Sequence, residues 1–402
     1  MHAKVALYDA VDNRLTHFEV DVENATLTPR ATVTVPSNVQ YAWPHPNGRV
    51  LYVATSNRGA GLKSDCNHLT ALRIDPATGA LSPLGEPQGL PHRAVHICVD
   101  ATGGFVLSGH NLPKSGVTVT RINAAGSLGA QVAQPHALDY GIYPHQIRIT
   151  PSNRATIVVD RGNNAEHGKP EDPGALRIFR LEDGVHSALP GYTPAAPNGG
   201  YGFGPRHLDF HPTQPWIYIS LERQNLLHMF RFAENGDGVE PLPAYVRPLL
   251  ANPADVANAA NHKSRQLSGT IHVHPNGRFV YVMNRGDASM EFQGKKVFTG
   301  GENNIAVFAI DPVSGEPTLI QHADTHSIHV RTFAIDPSGR LLVAASILPM
   351  WVRDGDAVVN QPAALTLFRM GDDGKLTFVR DLDIETHGGT QYWMGMVGLG
   401  LS

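Results

Sequence analysis

Counting along the chain from a recurring turn proline picks out a polar set of residues. Six positions before Pro46, Pro151, Pro212, Pro275 and Pro337 stand Gln40, His145, Arg206, Gly269 and Arg331; ten positions after them stand Ser56, Arg161, Glu222, Arg285 and Ile347. A further copy of the turn has Ala101 in place of the proline, and the same counts give Val95 and Asn111, with His96 and His110 beside them. A set this rich in His, Arg and Glu is poor packing material and good lining for a polar pocket. Guanidinium groups stay charged and present a planar donor fork to a carboxylate, a phosphate or a developing oxyanion. An imidazole with an ordinary pKa near 6.5 is largely neutral at pH 7 and can take a proton, and a nearby carboxylate can orient it or act as the base itself. The chemistry within reach is proton transfer on a small anionic molecule.

The elements that must position these residues repeat. Six segments read as an alternating apolar run, a tight polar turn and a second β-rich run: 41–55, 96–109, 147–160, 208–221, 271–284 and 332–346. Their β-branched and aromatic content around a short turn is a hairpin signal. A second set of hairpins alternates with the first, turning at 23–26, 75–79, 123–126, 182–184, 234–238, 311–315 and 372–374. The inner hairpin missing from the first set is supplied by pairing the last apolar segment, 391–399, with the N-terminal run 4–10. The expectation is an all-β fold: a seven-bladed β-propeller, one domain over residues 1–402, closed by its two terminal strands.

Short turns join the first strand of each blade to the second and the third to the fourth, so they share one face of the disc. The long links, 161–174, 189–204, 250–269, 285–303 and 348–363, emerge on the other, where the first strands begin and the second strands end. Long irregular loops on one side of a rigid scaffold commonly carry binding or catalysis. The His, Arg and Glu set therefore belongs at the mouth of the channel on the elaborated face.

The segments Tyr143-Pro144-His145-Gln146, Gly204 to Pro212 (GPRHLDFHP), Leu221-Glu222-Arg223 and Met283-Asn284-Arg285-Gly286 resemble the propeller-type lactonase family, which takes in 6-phosphogluconolactonases and 3-carboxy-cis,cis-muconate lactonizing enzymes. The resemblance runs from Ala3 to Leu399. It implies an active-site set of His145, Arg206, Glu222 and Arg285. Two departures, Leu221 where the family often has Asn and the long insertions after Arg161, Arg285 and Leu348, bear on the substrate more than on the reaction class. Opening a lactone needs a base for water, a stabilised oxyanion and a proton for the leaving alkoxide. The resemblance implies His145 or Glu222 as the base and Arg206 and Arg285 as the groups that hold the anion. Arg161, Arg331, Asn284, Gln40, His96 and His110 are further substrate-binding candidates, with Asn57 and Arg58 behind them. Strand alternation turns His207 away from Arg206 into the packing between blades.

Composition narrows the alternatives. Charged residues are 17% of the chain, and 40 Gly and 30 Pro mark a turn-rich fold. A net charge of −4 without a basic run leaves no source for nucleic-acid affinity. No apolar stretch has signal-peptide or membrane-span length, so the expectation is a cytoplasmic protein without membrane or nucleic-acid partners. Cys66 and Cys98 are too few for a disulfide framework and lack zinc spacing. The 21 His raise the question of a metal, chiefly at His272 with His274 and at His326 with His329. His45, His211 and His274, however, occupy the turn position that Asp100 and Asp336 fill elsewhere, where a local hydrogen bond accounts for them. The expectation is no metal and no cofactor. The leading reading is hydrolysis of a small anionic, sugar-acid lactone. A carboxymuconate-type cycloisomerase and a non-catalytic scaffold presenting Tyr201, Phe203 and Trp351 are the alternatives; oligomeric state is left open.

Overall fold

The second strand of nearly every inner hairpin is an unbroken apolar run, and this decides the architecture. A strand without alternation must be covered on both faces. In the computed structural model, which describes residues 4–57, 65–166, 168–233, 238–252 and 266–400, Val50–Ser56, Ala155–Asp160, Trp216–Leu221, Phe279–Gly286 and Leu341–Ser346 are buried along their whole lengths. Each lies in a sheet with neighbours on both sides. One apolar cluster, for example, joins Ile157 and Leu176 of one sheet to Leu208 and Ile217 of the next.

Seven antiparallel sheets form the blades, six of four strands and one of five, in which the short strand Gln88–Gly89 pairs with Asn67–Ile74 beside Leu81–Pro83. Their inner strands are Val39–Pro44, Arg93–Val99, Pro144–Ile149, Pro205–Phe210, Gln266–Val273, Val330–Ile335 and Gln391–Gly398. Blades one to seven are numbered in that order. The seventh takes its inner strand from the C-terminal end and its other three from the N-terminal end, with Val5 opposite Gly398 and Ala10 opposite Trp393. Each inner strand packs on the next, and Gln391–Gly398 touches those of blades six and one. Burial falls off outward, so that Thr26–Thr34 at the rim is largely exposed.

Two repeated hydrogen bonds tie blade to blade. Second-strand tyrosines donate to a glycine carbonyl in the outer turn of the following blade: Tyr8 to Gly79, Tyr52 to Gly126, Tyr218 to Gly315 and Tyr281 to Gly374, each at 2.8 Å. Turn histidines do likewise nearer the axis. His211 Nδ1 accepts from the Thr213 amide at 3.2 Å while Nε2 reaches the Gly277 carbonyl at 2.9 Å, and His274 binds Asn276 and Gly339 in the same way. A Cβ on Gly339, at φ +73°, would lie 2.4 Å from the His274 ring, so glycine is needed there twice over. Among the described residues, no group of three or more His, Cys, Asp or Glu is placed to hold a metal.

Two of the long links are not irregular, contrary to the reading of 285–303 and 348–363 as loops. Ala288–Phe292 pairs with Lys295–Gly300, and Met350–Asp354 with Ala357–Gln361. Val297 then pairs in parallel with Trp351, joining the two hairpins into an eighth sheet contributed by blades five and six. Lys295 lies over the Trp351 ring at 3.3 Å. Phe203 is buried in the core between blades three and four, whereas Tyr201 is exposed. Most of the turn 234–238, most of the link 250–269 and Arg58 lie outside the described residues.

Candidate active site

One backbone irregularity recurs at the same place in the inner hairpins. In blade four, Pro205 pairs with Leu221 and His207 with Ser220, which leaves Arg206 as the extra residue of a β-bulge. The same slip leaves Gln40, Val95, His145, Arg331 and Tyr392 unpaired in blades one, two, three, six and seven; in blade five Gly269 and Thr270 face a single partner residue. A bulge bends its strand and re-aims the side chain it carries. Here it directs polar groups to the channel mouth, and the bulged position is the one found by counting six residues back from the turn proline.

Glu222, just past the second strand of blade four, gathers three cations. Its Oε1 accepts from Arg206 Nε at 2.9 Å and Arg285 Nη2 at 2.8 Å, and its Oε2 from Arg161 Nη1 at 2.8 Å. Both Glu222 and Arg206 are almost fully buried. Burial alone would raise the carboxyl pKa, but the fields of Arg161, Arg206 and Arg285 override it and hold the group ionised far below the ordinary carboxylate range. Burial, followed by the charge of Arg285, pushes Arg206 down to about 9, which still leaves it charged at neutral pH. Glu222 has no proton to give and both of its oxygens are engaged. It is placed to hold guanidiniums rather than to move protons.

His145 presents the opposite properties. Burial, then Arg206, Arg161, Arg331 and Arg285, hold its pKa well below the usual value, so the ring is neutral, and its buried Nδ1 has no hydrogen-bond partner among the described residues. Beneath it His207 and His96 continue the channel lining, with ring centroids 5.2 Å from His145 to His207 and 5.8 Å from His207 to His96, and Tyr41 packs on His96 at 3.9 Å. His207 does not follow simple alternation. The bulge at Arg206 keeps the two side by side, with Arg206 Nη1 3.4 Å from His207 Nδ1.

The far half of the mouth is built differently. Arg93 donates from Nε to Gln40 Oε1 at 2.6 Å and from Nη2 to the Tyr392 hydroxyl at 2.8 Å. Arg331 lies 3.7 Å over the Tyr392 ring and donates to the Tyr392 carbonyl. Five guanidiniums thus surround the opening. Glu222 pairs with three of them, whereas Arg93 donates to an amide and a phenol, and Arg331 donates to a backbone carbonyl and lies over the phenol ring.

A model of the lactonase family, described as a seven-bladed β-propeller, matches residues 5–347. The chain belongs to that family. It is 26% identical over 338 residues to a 6-phosphogluconolactonase of Bacillus subtilis, covering 82% of this chain and 83% of the relative. Identity is 30% over 322 residues to a 6-phosphogluconolactonase of Cronobacter sakazakii, covering 80% of each. Among solved structures, a periplasmic gluconolactonase of Pseudomonas aeruginosa superposes with a TM-score of 0.73 over 99% of this chain and 100% of its own, at 20% identity. That last likeness speaks for the fold, and the family membership makes the chain a lactonase.

Of the residues singled out in the sequence, this lactonase brings His145, Arg206, Glu222, Arg285, Arg161, Arg331 and Gln40 to the mouth, with His96 a layer below. Two are turned elsewhere. Asn284 donates to the Leu249 carbonyl at 2.7 Å and to Asn304 Oδ1 at 2.8 Å, inside the blade. His110 has both nitrogens engaged, with the His92 carbonyl at 2.9 Å and Thr118 Oγ1 at 2.7 Å. Arg93 and Tyr392 escaped the count. Blade two carries a second register slip between His110 and Leu112, which displaces Arg93, and the seventh inner hairpin has no turn to count from because the chain termini make it. Pairing 391–399 against 4–10 residue by residue was the available signal for Tyr392.

Proposed function

We propose that this lactonase hydrolyses a small lactone carrying an anionic group, of the sugar-acid type, without a metal ion. The observation that carries the reading is the excess of guanidinium groups around one neutral imidazole. The donors of Arg285 and Arg331 not engaged by Glu222 or Tyr392 are available to the substrate anion and to the carbonyl oxygen. His145 takes a proton from water, the water oxygen attacks the carbonyl carbon, and the negative charge that forms on the carbonyl oxygen is met by fixed positive charge. The anionic group has a second effect. Its charge offsets the guanidinium field that suppresses imidazolium, and so makes His145 a stronger base once the substrate is bound. The named activities of the relatives, which are 6-phosphogluconolactonases, are consistent with a phosphorylated sugar acid.

Oxygen-18 water tests the reaction type. Hydrolysis puts one label into the product carboxylate per turnover. Turnover that instead yields an unlabelled lactone from an unsaturated dicarboxylate would assign the intramolecular lyase reaction, in which the substrate supplies its own nucleophile.

A further inference from the structure

Ring opening ends with an alkoxide that must be protonated, and neither Glu222 nor His145 is placed to supply that proton. Glu222 is held ionised with both oxygens engaged. His145, having accepted the proton of water, lies beside the attacking oxygen; a lactone presents its leaving oxygen on the other side of the carbonyl carbon. Across the mouth from the Glu222 cluster stands Tyr392, brought to the channel by the bulge that also positions His145, Arg206 and Arg331.

We propose that the Tyr392 hydroxyl donates the proton that the leaving alkoxide takes up. The inference rests on the lactone-hydrolysis reading given above. Arg93 donates to the phenol oxygen at 2.8 Å, so that oxygen acts as an acceptor there and its own hydrogen is left to point elsewhere. No acceptor for it is found among the described residues, and the side chain is only partly buried. Gln40 fixes Arg93, and Arg331 lies across the face of the ring. The same cations suit the state after transfer, because a phenolate would sit between Arg93 and Arg331. Burial would raise the phenol pKa, but Arg331, Arg93, Arg206 and Arg285 together bring it down to about 8. An acid of that strength is protonated at neutral pH and gives up its proton readily.

The step balances. The tetrahedral intermediate re-forms its C=O bond and breaks the ring C–O bond, and the departing oxygen takes the proton of Tyr392. The His145 imidazolium returns the proton of the attacking water to solvent, and the phenolate recovers one from solvent. The net change is the addition of one water across the ester.

Tyr392→Phe keeps the ring under Arg331 and removes only the hydroxyl, and two lactones separate donation from packing. An aliphatic δ-lactone expels an alkoxide that needs protonation, whereas dihydrocoumarin expels a phenoxide that leaves unaided. Expected is a fall in kcat on the order of 100-fold for the aliphatic lactone and less than about threefold for dihydrocoumarin. The pH profile on the aliphatic lactone gives a second readout. The wild-type rate should decline above about pH 8 as the phenol ionises; Tyr392→Phe should lose that alkaline limb, and Arg93→Gln should move it to higher pH. Equal losses on both lactones, or an alkaline limb unchanged in Tyr392→Phe, would overturn the assignment while leaving lactone hydrolysis standing. A wild-type protein that opens no lactone would remove the reading beneath it.

Discussion

Glu222 is the anion around which the site is assembled, and its removal should be felt in two measurements. Glu222→Gln leaves the buried Arg206 and Arg285 and the half-buried Arg161 without a counter-charge. Breaking a buried ion pair in this way costs about 3–5 kcal/mol, to be read from urea unfolding. Activity should fall at least about 100-fold because the anion-binding guanidiniums lose their positions. A variant of wild-type stability with unaltered kcat/KM would show that the arginines hold themselves in place. Arg285→Lys keeps the charge but loses the fork. It should weaken turnover of an anionic lactone by on the order of tenfold or more and that of a neutral lactone by much less; equal losses would argue against an anion clamp. At this scale the sequence was informative wherever a turn proline gave an origin, which is why His145, Arg206, Glu222, Arg285, Arg161 and Arg331 could be named beforehand. It could not show that Glu222 would be shared by three arginines, which come from three different blades. Strand alternation, which points Asn284 away from Arg285, was the available signal that Asn284 would turn into the blade to Leu249.

The blades are held to one another by the paired tyrosine and histidine hydrogen bonds as well as by apolar packing, and the tyrosines allow a clean test. Tyr218→Phe and Tyr281→Phe each remove one hydroxyl and strand a buried glycine carbonyl, at Gly315 and Gly374. Each should cost about 1–3 kcal/mol in urea unfolding, nearly additively in the double variant because they bind different blades. No loss in either would reduce these bonds to incidental contacts. The inner hairpins were legible from alternation and turn chemistry. The eighth sheet was not, although Gln293 and Gly294 both take positive φ between its first two strands. The two hairpins lie far apart in the chain and meet at one parallel bridge, Val297 to Trp351, which no local pattern announces.

The molecule as a whole buries neutral histidines, and that sets its response to acid. Burial holds His96, His145 and His207 well below the ordinary value and brings His110, His186 and His228 down to about 4. The unfolded chain binds these protons near pH 6.5 and the folded chain does not. Stability is therefore present above pH 6.5 and is lost as pH falls toward 4, by up to about 1.4 kcal/mol per pH unit for each group. Asp9 works in the other direction. Its folded pKa, raised by burial to about 7, favours the fold below the unfolded value near 3.8 and disfavours it as pH rises through 7. Six groups outweigh one, so the midpoint of urea unfolding should fall between pH 7 and pH 5. A midpoint that is flat or rises over that range would contradict the burial of these rings in neutral form.

The seventh blade has a consequence for how the molecule is made. Its three outer strands, starting with Val5–Val11, leave the ribosome before any other part of the ring, while the strand that completes their sheet, Gln391–Gly398, comes after the other six blades. Through most of synthesis the earliest strands must wait with an open edge, available to a chaperone or to a wrong partner. The delayed strand also carries Tyr392, so a chain released early, however well its six blades fold, has neither a closed ring nor a finished mouth. Function in this architecture waits on that last strand.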